Sequence, residues 1–388
     1  MLEIRYVSKG RIVAEDQSSR DIMQKGFIGE AVKTGKPGLG LSIYEALYLM
    51  DVRNAACASK NGKMTYNQLA SKHWKAKKFM AKYFTYKDWR DRGLIIKEPA
   101  SRHKEPNKTP IKGYPSSSLQ LPRYELHGVF FQTDLTTVID SAEEAKRLYE
   151  AFWFGQYGSY KAADRGKLNK LDIYETLFLM ERGILAVENT GKKELVRQAA
   201  SRRREFMLLY EVYKDWRDRG YVIKTGFKFG THFRVYFPGA KPVKQDEKTW
   251  VHSKHVIHVF PRESRLLTSE WARAIRVAHS VRKTFILAVP GKKEAKKVEI
   301  DFILYHRKGG DAENPESSAP KYAMLSLGEE EYLGGAELAG AIREAKNRKL
   351  ELVIAIADRE TAVTYYKVRQ ITLPGSVSEY YEIDWMQP

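Results

Sequence analysis

The sequence has 388 residues, of which 43% are hydrophobic, so it is long enough for two or three domains with ordinary apolar cores. The net charge of +19 favours an anionic partner, such as a nucleic acid or a membrane surface. The single cysteine, Cys57, excludes an intramolecular disulfide framework and a cysteine-rich zinc module. Because the first residues lack a signal-peptide core and no stretch reaches the length of a membrane span, we expect a soluble, cytoplasmic protein with no membrane partner.

The first part of the chain contains an internal duplication. Residues 86–93 and 213–220 are identical, and residues 41–50 closely match residues 171–180. Near the start of segments 41–50 and 171–180 stands the pattern of a capping box, Ser42 with Glu45 and Asp172 with Glu175. This pattern predicts the start of a helix. The duplication therefore predicts two modules of one fold.

Each module also contains a second helical stretch, predicted over residues 70–92 and 200–219. Gly93 and Gly220 stand at the positions where glycine ends helices, and a short apolar strand follows each glycine. We predict two small α+β modules, the first with its linker at 1–122 and the second at 123–224.

The two modules differ in one loop. The loop at 152–171 is five residues longer than its counterpart at 27–41 and carries Lys161, Arg165, Lys167 and Lys170. A basic loop of this kind is either a solvated surface or a contact for RNA. Lys161, flanked by Tyr160 and small residues, is the candidate for a phosphate contact.

Chemistry-bearing residues concentrate in the predicted catalytic domain at 225–308. On the strand at 231–237, alternation places Tyr236 on the same face as His232 and Arg234, away from Phe233 and Val235. Taken alone, a strand tyrosine is more often a half-buried packing residue than a functional one.

Three histidines, His252, His255 and His258, suggest a metal site. A strand from Val256 onward turns His255 away from the other two, and no carboxylate cluster lies nearby in the sequence, so a three-histidine site fails. A lone acid or base histidine is the better functional hypothesis. His255 and His258 are expected to be surface histidines.

A helix predicted over residues 269–282 has an apolar stripe and an exposed side that carries Arg273 and Arg276. Arg282 and Lys283 follow where the helix passes into a buried strand. Lys283 is either a charge fixed at the edge of a cleft or a solvated lysine at the end of a strand. The three arginines are candidates for RNA contact.

After a linker predicted at 309–320, residues 321–388 repeat the order of helix and strand without any histidine. This segment is predicted to be a structural half-unit. Asp358 and Glu360 form an acidic loop between two of its strands, at the place where the catalytic domain has the basic loop 291–297.

Residues 213–236, the pair His252-Ser253 and residues 276–283 together resemble the archaeal tRNA-splicing endonucleases. The resemblance implies a mixed-sheet, restriction-endonuclease-like catalytic domain within an overall α/β (α+β) fold, and a catalytic triad of Tyr236, His252 and Lys283. His255 is the alternative to His252, because the stretch between tyrosine and histidine is longer here than in the family. No metal and no cofactor are implied.

The resemblance also implies the reaction and the partners. The substrate is the bulge-helix-bulge of precursor tRNA, cut by attack of a ribose 2′-OH to give a 2′,3′-cyclic phosphate and a 5′-OH. Arg276 matches a base-gripping arginine, with a second arginine from a partner chain. The arrangement of units resembles the three-unit, or epsilon, type, which implies a homodimer with Asp358 and Glu360 in a basic pocket of the partner. The alternatives are a non-catalytic RNA-binding or structural subunit and a metal-dependent nuclease.

Overall fold

The computed structural model describes residues 2–8, 10–32, 37–101, 103–107, 110–242, 251–291 and 296–388. These residues form a mixed α/β structure, as the sequence predicts, with two small modules and one large central sheet. None of the helices in these ranges is long and apolar enough to cross a membrane.

The first module is a mixed sheet covered by helices. Its sheet has the strand order β3-β4-β2-β1-β5-β6, with β1 and β5 parallel. Its elements are β1 Glu3–Ser8, β2 Arg11–Ala14, α1 Gln17–Lys25, β3 Glu30–Ala31, β4 Leu39–Leu41, α2 Ile43–Val52, β5 Ala56–Ser59, β6 Gly62–Met64, α3 Tyr66–Ala70, a short 3-10 helix Ser71–His73 and α4 Phe79–Asp91.

The second module repeats this plan. Its sheet has the order β11-β12-β10-β9-β13. Its elements are β9 Leu126–Phe131, β10 Thr136–Ile139, α5 Ala142–Phe152, β11 Gln156–Tyr157, β12 Asn169–Asp172, α6 Ile173–Glu181, β13 Leu185–Val187, α7 Lys192–Arg202 and α8 Phe206–Asp218.

The predicted helix ends are partly confirmed. Both capping boxes form, at Ser42 with Glu45 and at Asp172 with Glu175. Gly93 and Gly220 follow α4 and α8 with φ of +75° and +81°, a conformation that glycine adopts without strain. The single long helices predicted over 70–92 and 200–219 are wrong, because each is interrupted before Phe79 or Phe206. In the first module Lys78 is left-handed there, which the α-helix excludes.

Both modules join one continuous eleven-stranded sheet in the described part of the chain. Its order is β14-β15-β16-β18-β26-β25-β24-β22-β19-β7, and β8 pairs with β25. The strands are β7 Ile96–Lys97, β8 Lys112–Gly113, β14 Val222–Thr225, β15 Phe233–Tyr236, β16 His255–Val259, β18 Thr284–Val289, β19 Phe302–Leu304, β22 Tyr322–Gly328, β24 Glu351–Ala357, β25 Val363–Thr372 and β26 Glu379–Met386.

Two helices and two short hairpins complete the structure. The helices α9 Thr268–Ser280 and α10 Gly335–Asn347 contribute to a shared core on one face of the sheet. The hairpin strands are β17 Arg265–Leu267 with β23 Tyr332–Gly334, and β20 Arg307–Lys308 with β21 Asp311–Ala312.

The central sheet has an approximate internal twofold arrangement. Strands β25 and β26 pair antiparallel at its middle, and Leu266, before α9, pairs with Leu333, before α10. On one side β14 pairs with β15, and on the other side β7 pairs with β19. The first module therefore attaches to the C-terminal half-unit, and the second module attaches to the strands that precede α9. Since β19 lies on the half-unit side, the structural division falls before residue 302 and not at residue 308.

A buried ion pair docks each module on its sheet edge. Lys224 of β14 donates to the carbonyl of Gly155 at 2.8 Å and to Glu175 at 2.6 Å. Lys97 of β7 reaches the carbonyl of Gly29 at 3.2 Å and Glu45 at 3.5 Å. Removal of one partner from such a pair leaves a buried charge, which typically costs about 3–5 kcal/mol. These pairs hold β14, and through it β15, in a fixed position.

Candidate active site

Tyr236 ends strand β15, and its side chain lies on the α9 face of the sheet. The neighbours Phe233 and Val235 point to the opposite face and join the core shared with the second module. Tyr236 is only 5% exposed, and its ring lies 4.6 Å, centroid to centroid, from Trp153 of the second module. Burial raises the pKa of the Tyr236 phenol. The tyrosine is therefore held rigidly between the module and the sheet.

Lys283 is brought to Tyr236 by strand pairing. It directly precedes β18, which runs parallel to β16 with Thr284 opposite His255. The residues before the two strands therefore meet at one edge of the sheet. Lys283 is 9% exposed, and its ammonium donates to the carbonyl of Ser253 and lies 4.9 Å from the Phe229 ring centre. Burial lowers the pKa of Lys283, and the positive charge of Arg234 lowers it further.

Ser253 lies close to both the tyrosine and the lysine. Its carbonyl accepts from Lys283, and its side chain lies near the Tyr236 hydroxyl and opposes the rise of the phenol pKa. The sequence pattern contained Ser253 beside His252, but alternation alone assigned it no role.

His252 directly precedes Ser253 and opens on a cleft that Lys283 also lines. Its side chain is exposed, and it lines a cleft of about 770 Å³ together with Ser253, Lys254, Arg282 and Lys283. Lys241 and Val251 also line the cleft, while residues 243–250 lie outside the described part of the chain. An exposed imidazole beside a buried phenol and a buried ammonium can exchange protons with a bound substrate.

Arg234 is a further cation of this site. It precedes Tyr236 by two residues on the same strand face, and its guanidinium carbon lies 5.7 Å from the Tyr236 ring centre. Its Nε is buried and has no hydrogen-bond partner among the described residues. The Arg234 charge lowers the pKa of both Tyr236 and Lys283. The two neighbouring cations Arg234 and Lys283 attract an anion, and a phosphodiester is one.

His255 and His258 are not surface histidines, and that expectation is wrong. His255 is buried on the face opposite Tyr236, with its ring 5.5 Å from Tyr114 and 5.2 Å from Phe237, and burial lowers its pKa to about 4. His258 packs 4.6 Å from His232, centroid to centroid, and burial lowers its pKa to about 4. Of the three histidines, only His252 opens on the cleft.

Two family models match this part of the chain. The N-terminal domain of the tRNA intron endonucleases matches residues 132–198, and their catalytic C-terminal domain matches residues 206–300. The second match contains Tyr236, His252 and Lys283.

Curated relatives give the same result. A tRNA-splicing endonuclease of Hyperthermus butylicus is 35% identical over 170 residues, which are 41% of this chain and 88% of that protein. The corresponding protein of Thermococcus gammatolerans is 40% identical over 140 residues, 34% of this chain and 78% of that protein. This chain belongs to the tRNA-splicing endonuclease family. A longer relative, from Methanosarcina acetivorans, is 27% identical over 354 residues, 76% of this chain and 97% of that protein.

The arginines predicted to contact RNA lie near the tRNA-splicing endonuclease cleft or on the helix beside it. Arg273 and Arg276 are exposed on α9, and Arg282, also exposed, lines the cleft. Burial raises the pKa of Tyr366, and the charge of Arg276 opposes that shift, so the arginine lies close to this tyrosine.

Trp385 is an aromatic residue of this surface that sequence reasoning missed. It lies opposite Tyr366 on β26, is 52% exposed, and donates its backbone N–H to His279 of α9 at 3.2 Å. The exposed indole offers a flat surface for an unpaired base. Its position depends on the pairing of the last strand, which local sequence does not indicate.

The longer loop of the second module approaches Tyr236 through Tyr160. Lys161 is exposed with a φ of +61°, and its ammonium lies 5.6 Å from the Tyr160 ring centre. Lys228 approaches the same ring to 4.9 Å, and the Tyr160 hydroxyl contributes to the raised pKa of Tyr236. Lys170 instead donates to the carbonyl of Gly158 at 2.9 Å and closes the base of the loop.

Asp358 and Glu360 lie in the turn between β24 and β25. Asp358 Oδ1 accepts from the backbone N–H groups of Glu360 and Ala362, both at 2.9 Å, so it shapes its own turn. Glu360 is exposed. Their predicted counterpart is the basic loop 291–297. Residues 292–295 of that loop lie outside the described residues.

Within the described ranges, no group of three histidine, cysteine or carboxylate side chains could hold a metal ion.

Proposed function

We propose that this chain excises introns from precursor tRNA by transesterification at the cleft of Tyr236, His252 and Lys283. The observation that carries the proposal is the position of Ser253, which contacts the ammonium of Lys283 and lies near the phenol of Tyr236, beside the exposed His252. Membership of the tRNA-splicing endonuclease family supports the same reaction.

In the proposed step, Tyr236 takes the proton of the ribose 2′-OH as its oxygen attacks the adjacent phosphorus. The new bond joins that oxygen to phosphorus, and the bond from phosphorus to the 5′-oxygen breaks. His252 gives the departing 5′-oxygen its proton, and Lys283 stabilises the negative charge on the phosphorane. The products are a 2′,3′-cyclic phosphate and a 5′-OH.

The charge of Arg234 favours ionisation of Tyr236, which must act as the base in this step. A phenol with an ordinary pKa near 10 is mostly protonated at neutral pH, and burial raises the pKa of Tyr236 further. Arg234 and Ser253 oppose this shift. Arg234 therefore favours the phenolate, while Lys283 remains available for the phosphate.

RNA recognition is assigned to the surface around α9. Bulge bases point away from the RNA helix. They can therefore stack on aromatic rings and on guanidinium planes. Arg276 and Trp385 supply one of each, and Arg273 and Arg282 supply charge for the backbone. Lys161, in the loop that reaches Tyr236 through Tyr160, is proposed to contact RNA near the cut.

One active site per chain is proposed, within a three-unit, epsilon-type arrangement. In the half-unit, Tyr305 occupies the strand position of Tyr236, but Leu350 precedes β24 where Lys283 precedes β18. A residue equivalent to His252 is also lacking, since Ala319 stands at its place before β22. The half-unit is therefore a structural partner, and a homodimer would carry two active sites. A cytoplasmic location is part of this proposal.

The test is incubation of the purified chain with a bulge-helix-bulge RNA in EDTA. Cleavage into a 2′,3′-cyclic phosphate and a 5′-OH is expected. Cleavage that requires a divalent metal would support a metal-dependent nuclease instead, and binding without cleavage would support a structural subunit.

A further inference from the structure

The two modules differ at a second place besides the loop of Lys161. After Ser71 seven residues, 72–78, lead to Phe79 in the first module, and after Ser201 only four, 202–205, lead to Phe206 in the second, three fewer. We name residues 71–78 the first-module basic loop. It contains four lysines and Trp74, whereas the second-module segment contains no aromatic residue.

The first-module basic loop is anchored so that Trp74 faces outward. The His73 ring stacks on Phe79 with centroids 5.6 Å apart and planes inclined by 6°, and Ala76 N–H donates to the His73 carbonyl at 2.8 Å. Trp74 between these anchors is 73% exposed. A large apolar ring held in water by a fixed turn is costly unless something covers it in use.

The lysines around Trp74 make the surface strongly basic. The Lys75 ammonium lies 4.9 Å from the Trp74 ring centre, and the Lys72 ammonium lies 4.9 Å from the Tyr6 ring centre. Lys77 is exposed beside them. In the part of the chain that the structure describes, no carboxylate pairs with these three lysines. Lys78 differs, because its charge acts on Glu331.

Two of the three arginines of the second-module segment interact with the module itself, while Arg204 is exposed. Arg202 donates to the carbonyl of Thr133 at 2.6 Å, and the Arg203 side chain hydrogen-bonds Tyr174. The contrast shows that this position does not need an aromatic ring for folding. The first-module basic loop therefore differs in chemistry as well as in length.

We propose that the first-module basic loop binds unpaired nucleotides of the precursor RNA, with a base stacked on Trp74 and phosphates held by Lys72, Lys75 and Lys77. Charge favours this occupant, because the lysines would repel a basic partner surface and an RNA backbone neutralises them. The inference rests on the proposed function only for the identity of the RNA.

The contact lies away from the cut. Helix α4, which follows the loop, packs on β22 and β24, six and five strands from β15. At about 4.8 Å between neighbouring strands, the separation from Tyr236 is on the order of 30 Å. The first module would thus grip the RNA outside the cleavage junction, and a minimal junction RNA would not reach it.

The experiment compares two RNAs by equilibrium binding, a full-length intron-containing precursor tRNA and a minimal bulge-helix-bulge RNA. Trp74→Ala should weaken binding of the precursor roughly 5- to 50-fold, the usual effect of losing one stacked base. Replacing Lys72, Lys75 and Lys77 by Gln should lower the slope of log affinity against log salt by about 2, at roughly 0.7 per phosphate contact. Binding and cleavage of the minimal RNA should stay within about twofold of the parent under the same conditions.

Matched controls are Phe131→Ala, an exposed aromatic of the second module, and the double variant Lys25→Gln with Lys308→Gln. Unchanged affinity and salt slope for the precursor in the Trp74 and lysine variants would overturn the proposal. So would a loss of self-association in sedimentation without a change in RNA binding, which would assign the loop to a contact between chains. If the parent cuts no RNA but binds the precursor through Trp74, the proposed function fails and the RNA contact stands.

Discussion

The carbonyl of Ser253 accepts a hydrogen bond from the ammonium of Lys283, and this contact fixes the lysine at the start of two parallel strands. The side chain of the same serine lies near the Tyr236 hydroxyl and opposes the rise of the phenol pKa. A buried ammonium with one backbone acceptor retains donors for a second acceptor, such as a phosphate oxygen. The proposed base and the proposed charge stabiliser are therefore positioned before RNA arrives, which lowers the cost of organising them during the reaction.

The triad assignment predicts large and separate losses of cleavage. Tyr236→Phe, His252→Ala and Lys283→Ala should each lower the single-turnover rate by roughly two or more orders of magnitude, because each removes a proton-transfer group or a stabilising charge. Circular dichroism should show the parent fold. His127→Ala is the control, since His127 is an exposed histidine on β9 far from the cleft residues in sequence. A fully active His252→Ala would remove the histidine from the mechanism.

The position of Arg234 predicts a change in the pH–rate profile. Without its charge the pKa of Tyr236 rises, so the limb of the profile that reports phenol ionisation should move to higher pH. Arg234→Gln should therefore lose more rate at neutral pH than at alkaline pH, and Arg234→Lys should recover much of the loss. Arg273→Gln, which removes an exposed arginine of α9, should leave the limb in place. A uniform loss at every pH in Arg234→Gln would mean that Arg234 only supports the structure.

Local pattern in the sequence indicated much of this site. Alternation on β15 placed Tyr236 with Arg234, whereas the passage from helix to strand left Lys283 either at a cleft edge or solvated, and only the family resemblance joined it to Tyr236 and His252. Neither the pairing of β26 with β18 nor that of β7 with β19 could be read from local pattern, because long-range pairing depends on which apolar faces meet in three dimensions. For the same reason Trp385 was missed, and His255 and His258 were expected at the surface.

The buried histidines predict loss of stability in mild acid. The pKa of His232 is lowered to about 3 and that of His258 to about 4, chiefly by burial, while unfolded histidines bind a proton near pH 6.5. Between pH 6.5 and about 4 the unfolded state binds more protons, so the free energy of unfolding falls as the pH falls. The loss assigned to His258 is roughly 3 kcal/mol at the lower end of this range.

His258→Leu should make that pH dependence shallower by about one bound proton. Urea unfolding from pH 7.5 to pH 4.5 measures it. His127→Ala is again the control and should leave the slope unchanged. Equal slopes for His258→Leu and the parent would show that His258 is already charged in the folded protein.

The loop of Lys161 predicts an effect on substrate range. Lys161→Ala should impair cleavage of RNAs with non-standard bulges more than cleavage of the strict bulge-helix-bulge, because a phosphate contact adds affinity where the fit is poor. Lys167→Ala, an exposed lysine of the same loop, is the matched control. Lys170 is unsuitable as a control, since it closes the loop through Gly158. Equal ratios of the two cleavage rates in parent and Lys161→Ala would leave the loop as a solvated surface.

The acidic turn allows a test of the proposed dimer contact that leaves the folding of the turn intact. Because Asp358 accepts two backbone hydrogen bonds within its own turn, Asp358→Lys would disturb the turn and report little about a partner. Asp358→Asn removes the charge and keeps an acceptor oxygen at that place. Glu360→Lys reverses an exposed charge.

The double variant Asp358→Asn with Glu360→Lys should weaken the dimer, because it deprives a basic partner pocket of both carboxylates. The effect should shrink at high salt. Sedimentation at several protein concentrations measures the dissociation constant. Glu316→Lys, an exposed acid of the linker, is the control for a simple change of net charge. A dimer of parental strength in the double variant would exclude this turn from the contact between the chains.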